Sequence, residues 1–405
     1  MLLAPRASLL LGVMVPAAAL DNGLRVPPMG WSSWYGFTQN INETMLREMA
    51  DGMVSSGLRA AGYEHIWIDD GWAMPRDNRT GGCGQFGPVP GTKDSCKVQV
   101  EKSLFPSGMA SLSAYIHAKS LKFGIYTSKG PLTCLGYQKT QPHRPGSCGY
   151  EQIDADVYVK EWDVDQVKDD GCGQCPQHEP FAAMRDALNK TGKPVFYAIH
   201  SRTAPGSPNG TVANMWRTGG DLSGSNFAMW TNRLVLATTA SQRALAGPGA
   251  FPNPDFLEVG YSPRNPKGRP SVQSPLEMRS MFTMWAALPG PLILSADLRP
   301  GAPCGGIDAA SFETLTNAEV IAVNQDQLAL PMSPVSRKNG LEVWQKKLTG
   351  GKLAVILFHR NNTGKAAAAT TLVVSVAAPL THTGQTVSMG SCAKNQALAF
   401  DLSGR

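Results

Sequence analysis

Short apolar runs punctuate most of the chain, and a stretch of helical periodicity follows nearly every one. They read "YEHIWIDDGW" (63–72), "LKFGIYTSKG" (121–130), "VDQVKDDG" (164–171), "PVFYAIHS" (194–201), "MWRTGGDL" (215–222) and "PLILSADL" (291–298). "PPMGWSSW" (27–34) supplies a first member, and a weaker run near 244–259 completes eight. Between them lie amphipathic segments such as "NETMLREMADGMVSSGLRAA" and "FPSGMASLSAYIHAKS". Continuous apolar strands alternating with helices predict a parallel sheet buried on both faces. Eight such units over about 300 residues predict an α/β fold of the (β/α)8 TIM-barrel type. A doubly wound sheet is the alternative, but no GxGxxG follows any of these strands. After "NAEVIAVNQDQLALP" the texture changes. "LEVWQKKL", "KLAVILFHR", "TTLVVSVA" and "ALAFDL" are short β-like runs broken by Gly, Asn and Thr, with no helical period between them. They predict a small C-terminal antiparallel β-sandwich domain. The expected division is a leader at 1–19, a barrel at 20–331 and the β domain at 332–405.

Composition narrows the class. The chain is 42% hydrophobic and 17% charged, and its 42 Gly and 30 Pro imply many loops. A net charge of +6 with no basic run gives no reason to expect nucleic acid as a partner. Arg6 precedes the apolar run "ASLLLGVMVPAAAL", which ends in the small residues Ala17 to Ala19, the pattern of a cleavable signal peptide. A buried N-terminal strand is the other reading of that run. No later stretch reaches the roughly 18 apolar residues of a membrane span. Entry into the secretory pathway follows as the expectation, with release from the cell or delivery to a lysosome or vacuole as end points. Five Asn-x-Ser/Thr sequons, at Asn42, Asn78, Asn189, Asn209 and Asn361, fit a glycoprotein. Nothing in the sequence settles oligomeric state, and a homodimer is left open.

Export changes the meaning of the cysteines. An even count of eight in an oxidising compartment favours disulfides over zinc. The best metal case is Cys172, Cys175 and His178, but a structural zinc site wants four ligands and no second CxxC or HxxxH occurs. No metal and no cofactor are therefore expected. Cys83 and Cys96 flank a Gly/Pro-rich loop that they could close locally. Pairing of Cys148, Cys175, Cys304 and Cys392 stays open.

The chemistry-bearing residues fall at strand ends. In a parallel barrel, active residues sit at the C-terminal ends of the strands. The second strand ends in Asp69 and Asp70, the third passes Tyr126, the fourth ends in Lys168 and Asp170, and Asp221 lies four residues after Arg217. The stretch "WDVDQVKDDGCGQC" holds four acids, and strand parity ranks them. Side chains alternate across a strand, so Lys168, Asp170 and Cys172 share one face while Val167 and Asp169 share the other. Asp170 therefore points into the barrel mouth beside a lysine that keeps it ionised. Asp163 precedes the strand, and Asp165 begins it on the wrong side. Two carboxylates on separate strands, one ionised and one protonated, suit glycosidic-bond cleavage. Any single acid at a strand end could merely cap a helix or solvate a loop; several converging on one barrel face are poorly explained that way.

In order and spacing, "PPMGWSSW", "WIDDGW", "GIYTSKGPLTC", "VKDDGC", "WRTGGD", "AGPGAFPNPDFLEVG", "PLILSADLR" and "NAEVIAVNQD" resemble the family 27 glycoside hydrolases, the α-galactosidases and α-N-acetylgalactosaminidases. The resemblance spans roughly residues 20 to 330. It implies a barrel with a C-terminal β-sandwich and retaining hydrolysis through a covalent glycosyl-enzyme, with Asp170 as nucleophile and Asp221 as acid/base. It also implies sugar contacts at Trp34, Asp69, Asp70, Tyr126, Lys168 and Arg217, and a pocket disulfide between Cys134 and Cys172. The substrate would be a carbohydrate ending in α-galactose or α-N-acetylgalactosamine.

Three departures stand out. Gly71 stands where the family usually has Cys, and the loop "YGFTQN" lacks the partner as well, so one bridge is lost whole. Asp169 replaces an aromatic or apolar residue, and parity assigns it a tuning or surface role. After the fifth strand, the galactosidases' bulky Glu and Leu are replaced by Ser201 and Ala204 in "HSRTA", the small-residue pattern of the N-acetylgalactosaminidases. A non-catalytic sugar-binding barrel and a metal-dependent secreted hydrolase are the competing classes. The intact Asp170/Asp221 pair argues against the first, and the ligand count argues against the second. Two expectations follow: the two carboxyl groups lie about 5–5.5 Å apart across the pocket, and Asp221 has a raised pKa from burial and the charge of Asp170.

Overall fold

Parity decides the architecture, because each barrel strand is buried on both faces. In the computed structural model, β1 (Met29–Ser32), β2 (His65–Trp67), β3 (Lys122–Ser128), β4 (Gln166–Asp170), β5 (Phe196–His200), β6 (Met215–Arg217), β7 (Phe251–Asn253) and β8 (Leu292–Leu294) form one parallel sheet. The described residues are 22–138, 144–200, 212–222, 226–260, 273–299 and 307–360, with the strand backbones of 371–373, 386–388 and 397–401. The strands run in the order β7-β6-β5-β4-β3-β2-β1-β8. The two edges meet where the chain leaving β7 pairs in parallel with β8, Leu257 to Leu294, with Leu257 N–H donating to the Ile293 carbonyl at 2.7 Å. This is the (β/α)8 barrel that the alternation implies.

Outward-facing residues such as Trp31, Ile66, Ile125, Val167, Ile199, Trp216 and Leu292 join a single large core with the surrounding helices. Inward-facing Trp67, Phe196, Ala198, Met215, Phe251 and Ile293 form a second, smaller cluster inside the barrel. At its floor His65 Nδ1 and Gln166 Oε1 are 2.7 Å apart, and burial lowers the His65 pKa to about 4, leaving the ring neutral. Gly124 makes room for Trp67: a Cβ there would lie 2.1 Å from the indole Cδ1.

The seventh strand gave the weakest signal, and its composition explains why. Pro252 sits at its centre, opposite Trp216, where a residue without an N–H weakens both pattern and ladder. The helix that follows, Pro275–Ala287, begins with a complete capping box, Ser274 and Glu277, and a proline in its first turn.

Beyond Met332 the chain turns to antiparallel pairing. Strands β9 (Ser333–Lys338), β10 (Leu341–Lys347), β11 (Leu353–His359) and β14 (Ala397–Asp401) form a four-stranded sheet, and β12 (Thr371–Val373) pairs with β13 (Thr386–Ser388). These antiparallel strands fit the expected C-terminal β-sandwich. Phe358 packs on Trp230 at 5.9 Å between ring centroids, and Trp230 packs edge-on against Trp285, also at 5.9 Å. Among the described residues no helix is long and apolar enough to cross a membrane. Residues 1–19 lie outside the described residues.

Candidate active site

The carboxyl ends of β2 to β6 bring the expected residues to one mouth. Asp170 ends β4, and its level partners on the two neighbouring strands are Ser128 and His200. Its carboxylate is buried, at 8% exposure, yet well supplied with donors. Gly171 N–H donates to Oδ1 at 2.6 Å, Tyr126 Oη–H donates to Oδ2 at 2.9 Å, and His200 Nδ1 lies 3.2 Å from Oδ1. Burial alone would push the pKa of Asp170 up. The His200 hydrogen bond, the His200 and Lys168 charges and the Gly171 N–H outweigh it and hold the group well below the usual carboxylate range. Asp170 is the ionised acid.

Lys168 shares that face, two residues earlier. Its ammonium donates to Asp69 Oδ2 at 2.5 Å and lies over the Tyr126 ring at 5.2 Å. Burial opposes its charge, but Asp69 and Asp170 together raise its pKa, so it stays protonated. Asp70 is held from the next loop, with Leu135 N–H donating to Oδ2 at 2.8 Å, and burial raises its pKa to about 6. Trp34 is half-buried just past β1 and packs against the inner cluster.

On β6, Arg217 points inward and donates to Asp255 Oδ2 at 2.8 Å and to Asp221 Oδ1 at 3.3 Å. Asp221 is the more open acid, its side chain 44% exposed. Its pKa is lowered, not raised. Burial pushes it up, but Arg217, His200 and Lys168 outweigh that and the repulsion of Asp170. The sequence expectation is corrected here because it counted the neighbouring acid and omitted the cations. Exposure lets water screen these pulls.

The remaining acids of "WDVDQVKDDGCGQC" separate as parity orders them, with one correction. Asp169 faces away from the mouth, but it is fully buried rather than on the surface. Tyr197 Oη–H donates to its Oδ2 at 2.8 Å, while burial, against that bond, raises its pKa well above the usual carboxylate value. Asp163 and Asp165 lie at the opposite end of the barrel, both paired with Lys193, and Asp165 accepts from Phe123 N–H at 2.8 Å.

Two disulfides close the loops around the mouth. Cys134 is bonded to Cys172, and their sulfurs lie within 4.8 Å of an Asp170 oxygen. Cys148 is bonded to Cys175, a pairing the sequence left open, and Cys83 to Cys96. Cys172 and Cys175 are thus both consumed, which removes the Cys172, Cys175 and His178 metal candidate. Cys304 and Cys392 lie outside the described residues, as do Ser201 and Ala204.

Two residues of the site were not nominated from sequence. His200 is at the inner end of β5, where parity with Phe196 and Ala198 could have placed it. Asp255 is fully buried with φ +114, a conformation rare for a non-glycine residue. It is fixed by Arg217, by Leu222 N–H at 2.7 Å and by the Tyr35 hydroxyl, and its carbonyl accepts from Trp285 Nε1 at 2.7 Å. Its only sequence signal was membership of "PNPDFLEVG".

A (β/α)8 barrel whose mouth gathers carboxylates, a lysine, an arginine and aromatic rings has the make-up of a glycoside hydrolase. The family model described as alpha galactosidase A matches residues 26–326. "Alpha-galactosidase 2" of Arabidopsis thaliana is 36% identical over 350 residues, 85% of this chain and 78% of that protein. "Alpha-galactosidase A" of Homo sapiens is 33% identical over 387 residues, 89% of this chain and 80% of that protein. The crystal structure of α-galactosidase I from Mortierella vinacea superposes with a TM-score of 0.70 at 29% identity, covering 87% of this chain and 86% of that one. The chain belongs to the α-galactosidase family, the family 27 glycoside hydrolases, and is a glycosidase of that type.

Proposed function

We propose that the protein removes terminal, non-reducing α-D-galactosyl residues by double displacement, with Asp170 as nucleophile and Asp221 as acid/base. The observation that carries this reading is the state of Asp170: buried, ionised, and held by three donors at the mouth of the barrel. In the first step an Asp170 oxygen bonds to the anomeric carbon while Asp221 gives its proton to the departing glycosidic oxygen. In the second, Asp221 takes a proton from water, the water oxygen bonds to the same carbon, and Asp170 leaves as carboxylate. Two inversions retain the configuration. Lys168, Asp69, Asp70, Arg217 and Trp34 supply a charged and aromatic rim for the sugar. Azide tests the roles. With Asp221→Ala it should restore turnover and yield α-galactosyl azide, because azide needs no general base. Recovery of the β anomer from that variant would exchange the two assignments.

A second reading rests on the residues that follow His200. Ser201 and Ala204 are small, and an N-acetyl group at C2 needs room that Glu and Leu would fill. Wild type should therefore also cleave α-N-acetylgalactosaminides, and Ser201→Glu with Ala204→Leu should lose that activity while keeping galactosides. A wild type without acetamido activity leaves plain α-galactosidase. The three disulfides fit passage through an oxidising secretory compartment, and Asn42, Asn78 and Asn189 are exposed for glycosylation.

A further inference from the structure

His200 is a residue that no step above uses. It ends β5, directly level with Asp170 on the adjacent strand. Parity with Phe196 and Ala198, both in the inner cluster, turns it into the barrel mouth. It is 4% exposed, and among the described residues its Nε2 is buried without a hydrogen-bond partner. Nδ1, 3.2 Å from Asp170 Oδ1, is its one polar contact there. An ionised carboxylate only accepts, so Nδ1 must carry a proton and donate it.

We propose that His200 is a further catalytic residue that acts chiefly in the second step, stabilising Asp170 as it departs from the glycosyl-enzyme. This rests on the assignment of Asp170 as nucleophile. A donor to a carboxylate is strongest when that carboxylate carries full charge. Before the first step Asp170 is fully charged, and bond formation drains charge from it, so the His200 contact gives no gain. In the glycosyl ester the charge is gone. As the ester C–O bond breaks, the electron pair returns to Asp170, and the Nδ1–H contact strengthens toward the transition state. Only interactions stronger in the transition state than in the preceding state accelerate a step. The asymmetry therefore places the benefit of His200 in hydrolysis of the intermediate.

The test is steady-state and stopped-flow kinetics with p-nitrophenyl α-galactoside on wild type, His200→Ala, His200→Asn and His200→Gln. The Asn amide nitrogen reaches roughly where Nδ1 sits, and the Gln amide reaches toward Nε2. In His200→Ala and His200→Gln, kcat should fall about 10- to 100-fold, KM should fall with it, and kcat/KM should stay within about 3-fold. A burst of nitrophenol should mark accumulation of the glycosyl-enzyme. His200→Asn, which keeps a donor near the Nδ1 position, should recover about 10-fold of the kcat lost in His200→Gln and show a smaller burst. If His200→Ala does not fold, the contrast between Asn and Gln carries the same question. Equal losses in kcat and kcat/KM without a burst, or identical behaviour of Asn and Gln, would overturn the proposal while leaving Asp170 as nucleophile. A wild type inactive on this substrate would overturn the functional reading, and this inference with it.

Discussion

A carboxylate attacks carbon only while ionised, and the pKa values of two adjacent aspartates here are pushed in opposite directions. Asp170 is kept charged by its donors, whereas burial pushes the pKa of Asp169, one residue away on the other face, up. Asp170→Asn should abolish turnover. Asp169→Asn keeps an acceptor for the Tyr197 hydroxyl, on the face turned away from the mouth, and should keep activity within about 3-fold. Equal loss from both would contradict the parity argument. The pH profile follows from the same states. Asp170 must be ionised, so activity falls as pH drops through its low pKa; Asp221 must be protonated for the first step, so activity falls as pH rises through its own. Both are lowered, which places the kcat/KM optimum on the acid side. Salt should screen the exposed Asp221 from Arg217 and move the alkaline limb upward. An optimum above neutrality, or a limb that salt moves down, would contradict the assignment. At this scale parity was legible in the sequence, and it ranked the four acids before, at the start of and at the end of one strand. His200 and Asp255 were not, because their roles depend on what lies beside them in adjacent strands and not on their own neighbours in the chain.

Each barrel strand reads as a short apolar run because both its faces are covered, and that made most elements legible. The exception, β7, has a proline at its centre and was placed only as a weak run. Where the inner face carries a glycine, packing against a neighbour decides the residue. Gly124→Ala would put a Cβ against Trp67 two residues before Tyr126, and should destabilise the barrel by about 1–3 kcal/mol. A melting temperature unchanged from wild type would show that the indole can move aside. The loops are another matter. Cys134–Cys172 spans 38 residues and pins the loop after β3 to the loop after β4, next to Asp170. Replacing both cysteines with Ser should cost about 2–4 kcal/mol of stability, read by denaturant unfolding, and should reduce kcat more than that of a Cys83/Cys96 double variant. The Cys148–Cys175 pairing was not legible, since spacing alone does not fix connectivity.

At the scale of the molecule, the antiparallel sheet is joined to the barrel by a buried lysine. Lys346 on β10 donates to the carbonyls of Ala286 and Val323, at 3.3 and 2.5 Å, near the ends of two barrel helices. Burial lowers its pKa to about 7, and Asp326 pulls only weakly the other way. Unfolded, a lysine titrates near 10.4. Between about pH 7 and 10 the unfolded chain therefore binds a proton that the folded chain does not, and stability rises with pH across that window. Lys346→Met should remove this slope, so that the stability of wild type relative to the variant increases from pH 7 to 10 and is flat below. A constant difference would mean that Lys346 stays charged in the fold. The two-part architecture was legible as a change from alternating helices and strands to β-like runs alone, but the packing of Trp230, Trp285 and Phe358 that unites the parts was not. All of it serves one chemical claim, that the barrel holds Asp170 ready to form a glycosyl ester. The most direct measurement is trapping with an activated 2-deoxy-2-fluoro galactosyl donor, followed by peptide mapping by mass spectrometry. One sugar, esterified to the peptide at Asp170, is the expected result. A sugar on Asp221, Asp69 or Asp70, or full turnover with inverted configuration and no adduct, would contradict it.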